Sequence, residues 1–485
     1  MDDFEKKKII NNIGWLSFSK IIIYFLAIIT ITVVPRYLGV EAYGQLNFVL
    51  SFLGIFMIIT DLGINTLIFR DVSKNKKLLG KYFNNFLPFK LILFLISAIL
   101  IVLLTFVLNK PSVVNNLFYI LIIYLLFSVL SGYLTVFYNS MQDNKFYAIY
   151  EAINKVSYVL FIFLIIYLNF GVIGILFAQI FSLILGFLFL AFFFKKYIPK
   201  VNFKLNPKFI KQKLYLSWPF ALNFLFYNVY FHFDKILISL IINDYSVGLY
   251  AISYSFLGFL MSVVGLIALV FFPVLSKYSF SKDLPRIFNK YLKLVSIVIV
   301  PLSFGAILLS KEIIYLVFGA SYVGGNLAFK IIMLFCLFSA INSTFNNLFI
   351  VHHFEKYFLK LLFIASVSNV VLNLIVIPFY GIVGAAITTL VSELIILIGA
   401  ITFIKNKIKG IKIIDQLVLP LISGTLMIFG LFVIRFFNPS GFLKNNFDVL
   451  IYAFIGGLIY FSFILLFKVV TKKEISSIYH LVMKK

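Results

Sequence analysis

Several charged residues stand inside stretches that are otherwise almost wholly apolar: Lys20, Asp61, Glu151, Lys155, Asp234 and Lys235. In hydrocarbon such a charge is costly and normally faces a partner or a water-filled cavity. The amines could hold an anionic group such as a phosphate, and the carboxylates could keep the resting charge low. Uncharged polar residues recur at helical spacings of three, four and seven, which place them on one face. Lys20 shares such a face with Ser17 and Tyr24, and Asp61 with Asn47, Ser51, Gly54 and Asn65. A longer stripe runs through Tyr124, Ser128, Ser131, Thr135, Tyr138 and Gln142. Glu151, Lys155 and Tyr158 form another face, and Asn223, Tyr227, Tyr230 and Asp234 a further one, with Lys235 turned off it. Ser339, Asn342 and Asn346, then Ser366, Asn369 and Asn373, repeat the pattern later in the chain. Two readings stand side by side: a cavity lined by these groups, or hydrogen bonds that join helices within a membrane.

The chemistry implied is binding rather than bond breaking. No GxxxxGK[ST] loop is present to cradle a nucleotide, and no HExxH pair to hold zinc. The single cysteine, Cys336, cannot form a disulfide framework, and the four histidines show no ligand spacing. The sequence therefore predicts no cofactor, no metal and no catalytic residue.

The elements that must position these residues are membrane spans. Of 485 residues, 62% are hydrophobic and 12% charged, with a mean hydropathy of +1.08. That leaves too little charge to cover a soluble protein of this length. A span needs about 20 apolar residues. Fourteen candidates meet this: 13–34, 45–69, 86–108, 116–139, 147–168, 172–194, 215–241, 250–274, 291–310, 326–350, 358–377, 383–404, 416–434 and 447–467. The fold class expected is an all-α polytopic membrane protein.

The formal net charge of +25 would suggest nucleic-acid binding in a soluble chain. Here its distribution says otherwise. With the N-terminus in the cytoplasm and alternating spans, 32 Lys and Arg fall in cytoplasmic segments and 5 in outer loops. Such a bias predicts two cytoplasmic termini, basic loops facing anionic lipid headgroups, and no nucleic-acid partner. Lys90 and Lys330, near span ends, read as snorkelling side chains. Glu393 reads as neutral or hydrogen-bonded within the bundle. Glu151 and Lys155 can equally be an i,i+4 pair.

A basic stretch near 195–214 separates six spans from the next eight. Around it the chain repeats. Gly44, Ser51, Phe52, Leu53 and Gly54 match Gly248, Ser255, Phe256, Leu257 and Gly258 at an offset of 204. Gly171, Gly174 and Ser182 match Gly381, Gly384 and Ser392 at an offset of 210. An even number of spans per repeat implies parallel lobes related by an axis along the membrane normal. The division expected is 1–194 for one six-helix lobe, 195–214 for a cytoplasmic linker, 215–404 for the second lobe, and 405–485 for two further spans and a tail.

Pro35-Arg36-Tyr37-Leu38-Gly39, followed by Tyr43-Gly44, stands after the first span, and Asp61-Leu62-Gly63 late in the second. Asp234-Lys235 and Val247-Gly248-Leu249-Tyr250-Ala251 stand around the seventh and eighth. In order and spacing these resemble the Wzx-like polysaccharide flippases of the multidrug/oligosaccharidyl-lipid/polysaccharide exporter superfamily, over essentially the whole chain. The resemblance implies two six-helix lobes, a central cavity, alternating access, and a polyprenyl-linked oligosaccharide as cargo. It also implies a cell-membrane location, with membrane lipids and other glycan-assembly proteins as candidate partners. Cationic cavity residues are common in such flippases, and Lys20, Lys155 and Lys235 fit by position. A cation-coupled drug exporter of the same superfamily and a non-transporting scaffold of a glycan assembly complex remain the alternatives. One pairing is also expected: Lys20 with Asp61, since both lie in the cytoplasmic half of neighbouring spans.

Overall fold

The computed structural model describes residues 3–197, 202, 205–437 and 448–469; within its first helix, the described side chains are Lys20 and those from Ile22 onward. Ser17, Lys444 and the basic tail beyond residue 469 therefore lie outside the described residues. Every regular element among those described is helical. In order they are α1 (Asp3–Asp61), α2 (Ile64–Lys74), α3 (Leu79–Leu108), α4 (Ser112–Ser140), α5 (Asn144–Leu168), α6 (Gly171–Phe194) and α7 (Pro207–Ile241). Then come α8 (Asp244–Lys277), α9 (Leu284–Leu308), α10 (Ser310–Val317), α11 (Asn326–Val351), α12 (Glu355–Lys407), α13 (Ile413–Phe437) and α14 (Asp448–Leu466). Short 3₁₀ turns at Lys76–Leu78 and Ala320–Gly325 link neighbours.

Among the described residues, twelve helices are long and apolar enough to cross a membrane. Two of them are broken. The 59-residue α1 carries a non-helical backbone at Gly39 (φ 73°, ψ 174°), four residues after Pro35. The 53-residue α12 carries one at Gly381 (φ 56°, ψ −138°), three residues after Pro378. Proline removes a ladder hydrogen bond and glycine alone tolerates these angles, so each sequence signature breaks its helix. Each limb is long enough for its own crossing, so twelve helices supply the fourteen expected spans.

The expected span 45–69 is shorter than predicted. It is cut at Leu62 (φ 47°) and Gly63 (φ 73°), and α2 restarts at Ile64. Apolarity alone hid this, because Leu62 and Ile64 keep the stretch hydrophobic across the break. The break is built locally. The Asp61 carboxylate accepts the Asn65 backbone N–H at 3.3 Å, capping the restart. Ser217 Oγ on α7 donates to the Leu62 carbonyl at 2.8 Å, satisfying an acceptor the interrupted ladder releases. A Cβ at Gly63 would lie 2.5 Å from the Ser217 carbonyl oxygen, so the two backbones touch there.

The chain divides into two compact units, Met1–Gly248 and Leu249–Lys485. In the first, α2, α3, α4, α6 and α7 bury an aromatic cluster that includes Tyr82, Phe83, Phe86, Tyr133, Phe137, Tyr138, Phe194 and Phe209. Rings stack (Phe83 and Tyr133, centroids 5.6 Å apart) or meet edge to face (Tyr133 and Phe137, 5.1 Å). Their hydroxyls are not wasted: Tyr133 donates to the Tyr82 and Phe83 carbonyls, and Tyr138 to the Leu190 carbonyl. In the second unit, α9, α11 and α12 pack around a buried polar network. There Asn342 Nδ2 donates to Glu393 Oε1 at 2.7 Å, so Glu393 is hydrogen-bonded inside the bundle. Asn373 donates to Asn369 at 3.0 Å and accepts from Thr388. These asparagines join helices, as the second of the two readings requires. Large apolar side chains such as Phe106, Tyr167 and Leu465 point outward, as lipid-facing residues do.

The repeat-related glycines of the first unit meet each other. A Cβ on Gly44 would lie 1.8 Å from the Asp244 carbonyl oxygen, and one on Gly248 2.0 Å from the Val40 carbonyl oxygen. Val40 and Asp244 stand at the same offset of 204 as Gly44 and Gly248. The contact is thus reciprocal, each strip using the same positions, as across a two-fold axis. The absence of side chains at the two glycines allows α1 and α8 to cross backbone on backbone.

Candidate functional site

Two of the charge pairs in the first unit involve residues singled out from the sequence. Lys20 on the first limb of α1 meets Glu151 on α5, with Nζ 2.9 and 2.8 Å from Oε1 and Oε2. Tyr147, one turn before Glu151, donates to Oε1 at 2.7 Å, and Tyr24 lies within electrostatic reach of the same carboxylate. Lys155, a turn further along α5, donates to Thr30 Oγ1 at 3.0 Å and lies over the Tyr158 ring, 5.7 Å from its centroid. Among the described residues no carboxylate reaches it. Glu151 and Lys155 therefore each look to α1 and do not pair with one another along α5.

Asp61 pairs with Lys90 on α3, with Nζ to Oδ1 at 2.7 Å; this overturns the expected Lys20–Asp61 pair. The reason lies in how helices neighbour one another. The break at Gly39 separates the two limbs of α1, sending Lys20 to α5, while the end of the second limb packs beside α3. Lys90 also corrects the snorkelling reading. Its side chain is only 3% exposed, and it donates to the Thr60 carbonyl at 3.3 Å and sits 5.7 Å from the Tyr133 centroid. Proximity to a span end suggested an amine reaching for water, but a carboxylate one helix away supplies a partner inside.

Beside this pair is a cavity of about 310 Å³. Asp61, Thr60, Asn65 and Thr66 line it from the broken end of α1 and the start of α2. Lys90 enters from α3, Ser128 and Gly132 from α4, and Phe220 and Phe224 from α7. The helix break makes the room, since the chain turns away where a continuous helix would have carried side chains forward. Of the residues singled out from sequence, Asp61 and Ser128 line this cavity together. Asn65, from the same predicted face as Asp61, joins them.

The other predicted residues are elsewhere. The α4 stripe does not act as one surface: Thr135 Oγ1 bonds the Gly132 carbonyl one turn back (2.9 Å), and Tyr138 is committed to Leu190. Gln142 lies beyond the end of α4 in a left-handed turn (φ 59°) and so leaves the face. Tyr124 and Asn223 are half-buried, and Tyr227 is 49% exposed. Asp234 and Lys235 are buried, with the Asp234 carboxylate accepting the Lys235 backbone N–H at 2.7 Å. Sequence reasoning passed over Phe220, Phe224 and Gly132, for which no local signal existed. For Lys90 the signal was present: an amine inside an apolar stretch, with a carboxylate left to be matched.

A third charged cluster was not anticipated. Lys110, after α3, donates to Asp244 Oδ1 (3.0 Å), Ser239 Oγ (2.8 Å) and the Ser239 carbonyl (3.0 Å). Its ammonium also lies 4.9 Å from the Phe48 ring centroid. It bolts the α3–α4 turn to the α7–α8 turn beside the glycine crossing.

Residues 9–279 match the model of a family described as polysaccharide biosynthesis protein. The chain belongs to that family. It is thereby a membrane transporter of the multidrug/oligosaccharidyl-lipid/polysaccharide exporter superfamily, as the motifs around Gly39, Asp61 and Asp234 implied. An uncharacterized membrane protein of Methanocaldococcus jannaschii is 25% identical over 357 residues, 65% of this chain and 67% of that protein. The fold is similar to that of the lipid II flippase MurJ in an inward closed conformation (TM-score 0.78, 21% identity, 93% of this chain and 98% of that one). It is also similar to an inward-facing multidrug resistance MATE transporter (TM-score 0.64, 16% identity, 79% and 94% of the two chains). A further superfamily transporter, from Pyrococcus furiosus, gives a TM-score of 0.55 at 16% identity, with 81% and 95% coverage.

Proposed function

We propose that the protein carries a polyprenyl-linked oligosaccharide from the cytoplasmic to the outer leaflet of the cell membrane by alternating access, for polysaccharide or glycoconjugate assembly. The observation that carries this reading is the family match over residues 9–279. One solved protein of similar fold is a lipid II flippase, and a lipid-linked cargo comes to this chain from it as part of the proposal. Both termini are placed in the cytoplasm on the strength of the Lys and Arg bias.

The physical task is to take a sugar and its phosphates through about 30 Å of hydrocarbon. Polar groups replace water around the sugar, and cations meet the phosphate. Lys155 is the readiest cation, because a neutral hydroxyl holds it, whereas Lys20 must exchange Glu151 for the cargo. Lys235 is a third candidate. No bond of the cargo is made or broken, so the reading requires no enzyme chemistry.

The experiment is reconstitution in vesicles with a lipid-linked oligosaccharide and a leaflet-specific readout. Lys20→Gln and Lys155→Gln should cut flipping at least tenfold at normal levels of folded protein, with a smaller loss for Lys235→Gln. Full flipping by the triple variant would remove the electrostatic mechanism. A second reading, export of cationic drugs, rests on Glu151, whose carboxylate would exchange Lys20 for a cationic cargo. Efflux of a cationic dye by the same vesicles, with no flipping, would select it.

A further inference from the structure

We propose that the cavity between α1/α2, α3, α4 and α7 is a subsite for one uncharged sugar ring of the cargo, which rests on the flippase reading above. Charge decides the class of ligand. Lys90 and Asp61 are 2.7 Å apart and neutralise each other, and the ammonium is further occupied by the Thr60 carbonyl. A phosphate would find that amine already taken and a carboxylate in its path. A metal cation would meet the ammonium beside Asp61, the one carboxylate among the described residues that line the cavity. The site thus disfavours either ion.

What remains open is an array of acceptors. Asp61 Oδ1 takes Lys90 and the Asn65 backbone, while no described residue donates to Oδ2. Asn65 Oδ1 is buried and likewise has no donor. Ser128, whose hydroxyl also bonds Tyr124, can still accept. Asn65 Oδ1, buried and unpaired, is costly to leave so, and Asp61 Oδ2 is a second, partly exposed acceptor; together they suit an occupant that brings hydroxyl donors. A carboxylate that accepts from a hydroxyl makes a short, strong, directional bond.

The opposite wall is apolar. Phe220 and Phe224, one turn apart on α7, offer ring surface to the C–H face of a pyranose. Gly132 leaves floor space, since a Cβ there would meet nothing closer than Asn65 Nδ2 at 4.0 Å. The volume of about 310 Å³ lies at the lower end of the range of small-molecule sites. That is room for a ligand of the size of one pyranose with its hydroxyls. A few placed polar groups on an apolar pocket are what a selective small-ligand site requires.

The test uses the full chain in lipid nanodiscs and saturation-transfer NMR with methyl glycosides of glucose, galactose, mannose and N-acetylglucosamine at about 10 mM, a range suited to weak sites. The linear polyol sorbitol is the control. At least one glycoside should receive saturation and sorbitol should not. Gly132→Leu fills the cavity without touching the ion pair and should reduce that signal at least fivefold, as should Phe224→Ala. Asn65→Leu should do the same and does not depend on the charge pair for folding. Transfer equal in wild type and Gly132→Leu, or to no glycoside by folded wild type, overturns the subsite. In either case, flipping of intact lipid-linked sugar by the same preparation leaves the function standing. Conversely, glycoside binding lost in Gly132→Leu, with no flipping by wild type, keeps the subsite and removes the flippase reading.

Discussion

Two ends of the first unit solve the same problem in opposite ways. At the Lys110 end, α1 and α8 cross with backbone on backbone at Gly44 and Gly248, and one lysine makes three polar contacts beside the crossing. At the Asp61 end, the helix breaks, α7 meets the break backbone to backbone at Gly63 and Ser217, and the remaining space is a cavity beside an amine–carboxylate pair. Both ends use a glycine and a buried Lys–Asp pair. The difference is what the glycine does. At Gly44 it removes a side chain so that two helices can close up. At Gly63 it permits a left-handed turn that takes one helix out of the way. Glycine at a crossing seals, and glycine at a break opens.

Adding bulk should break the sealed end most severely. Gly44→Val places a Cβ 1.8 Å from the Asp244 carbonyl oxygen, which only backbone displacement can relieve. We expect loss of folded protein in the membrane, measured by size-exclusion yield and thermal melting, at a cost of about 3 kcal/mol or more. Gly132→Ala, at the open end, should shift the melting midpoint by no more than a degree or two, because its nearest neighbour is 4.0 Å away.

The charge pair at the open end comes next. Asp61→Asn leaves Lys90 buried without its carboxylate and should cost about 3–5 kcal/mol. Lys90→Met in the same chain should recover most of that, because the orphaned charge is gone. If Lys20→Asp with Asp61→Lys restored stability instead, the Lys90 pairing would be wrong. Removing the bolt at the sealed end should matter less. Lys110→Met gives up three hydrogen bonds but leaves Asp244 bonded to Ser239, for a loss of about 1–3 kcal/mol. Cysteines replacing Lys110 and Ser239 should be joined by a short bifunctional maleimide in the resting protein, and absence of that crosslink would dissolve the bolt.

The smallest expected effect depends on pH. At the end of α2, burial alone would raise the Asp71 carboxyl, but hydrogen bonds from Lys213, Tyr82 and Arg70 and the charge of Lys213 outweigh it and hold the pKa at about 2, against an ordinary 3.8. A carboxyl held lower in the folded protein contributes stability above its unfolded pKa and loses it as pH falls through the folded value. Asp71→Asn should therefore lower the melting midpoint by a constant amount between pH 5 and 8. The deficit should shrink below about pH 4 and vanish near pH 2. A deficit that persisted at pH 2 would mean that Asp71 acts through packing and not through charge.

Much of the architecture was decided by local composition. About 20 apolar residues commit a segment to a helix, because in lipid each backbone group must be satisfied within its own segment. Pro35 with Gly39 and Pro378 with Gly381 break their helices wherever these sit, since the constraint lies in the residues' own geometry. The repeat at Gly44 and Gly248 was visible as an offset, though not as a contact. What the charges do was decided by tertiary structure. Lys20 chose Glu151 and Asp61 chose Lys90, across 131 and 29 residues, because pairing follows which helices pack together and which face each presents. The polar stripe on α4 dissolved for the same reason: Thr135 could satisfy itself within its own turn, and Ser128 alone met open space. A cavity is the volume that several helices fail to fill, and no single segment carries that information. Asp61 was legible as a costly charge. Phe220, Phe224 and Gly132 became its neighbours only when α4 and α7 came to stand around the broken end of α1.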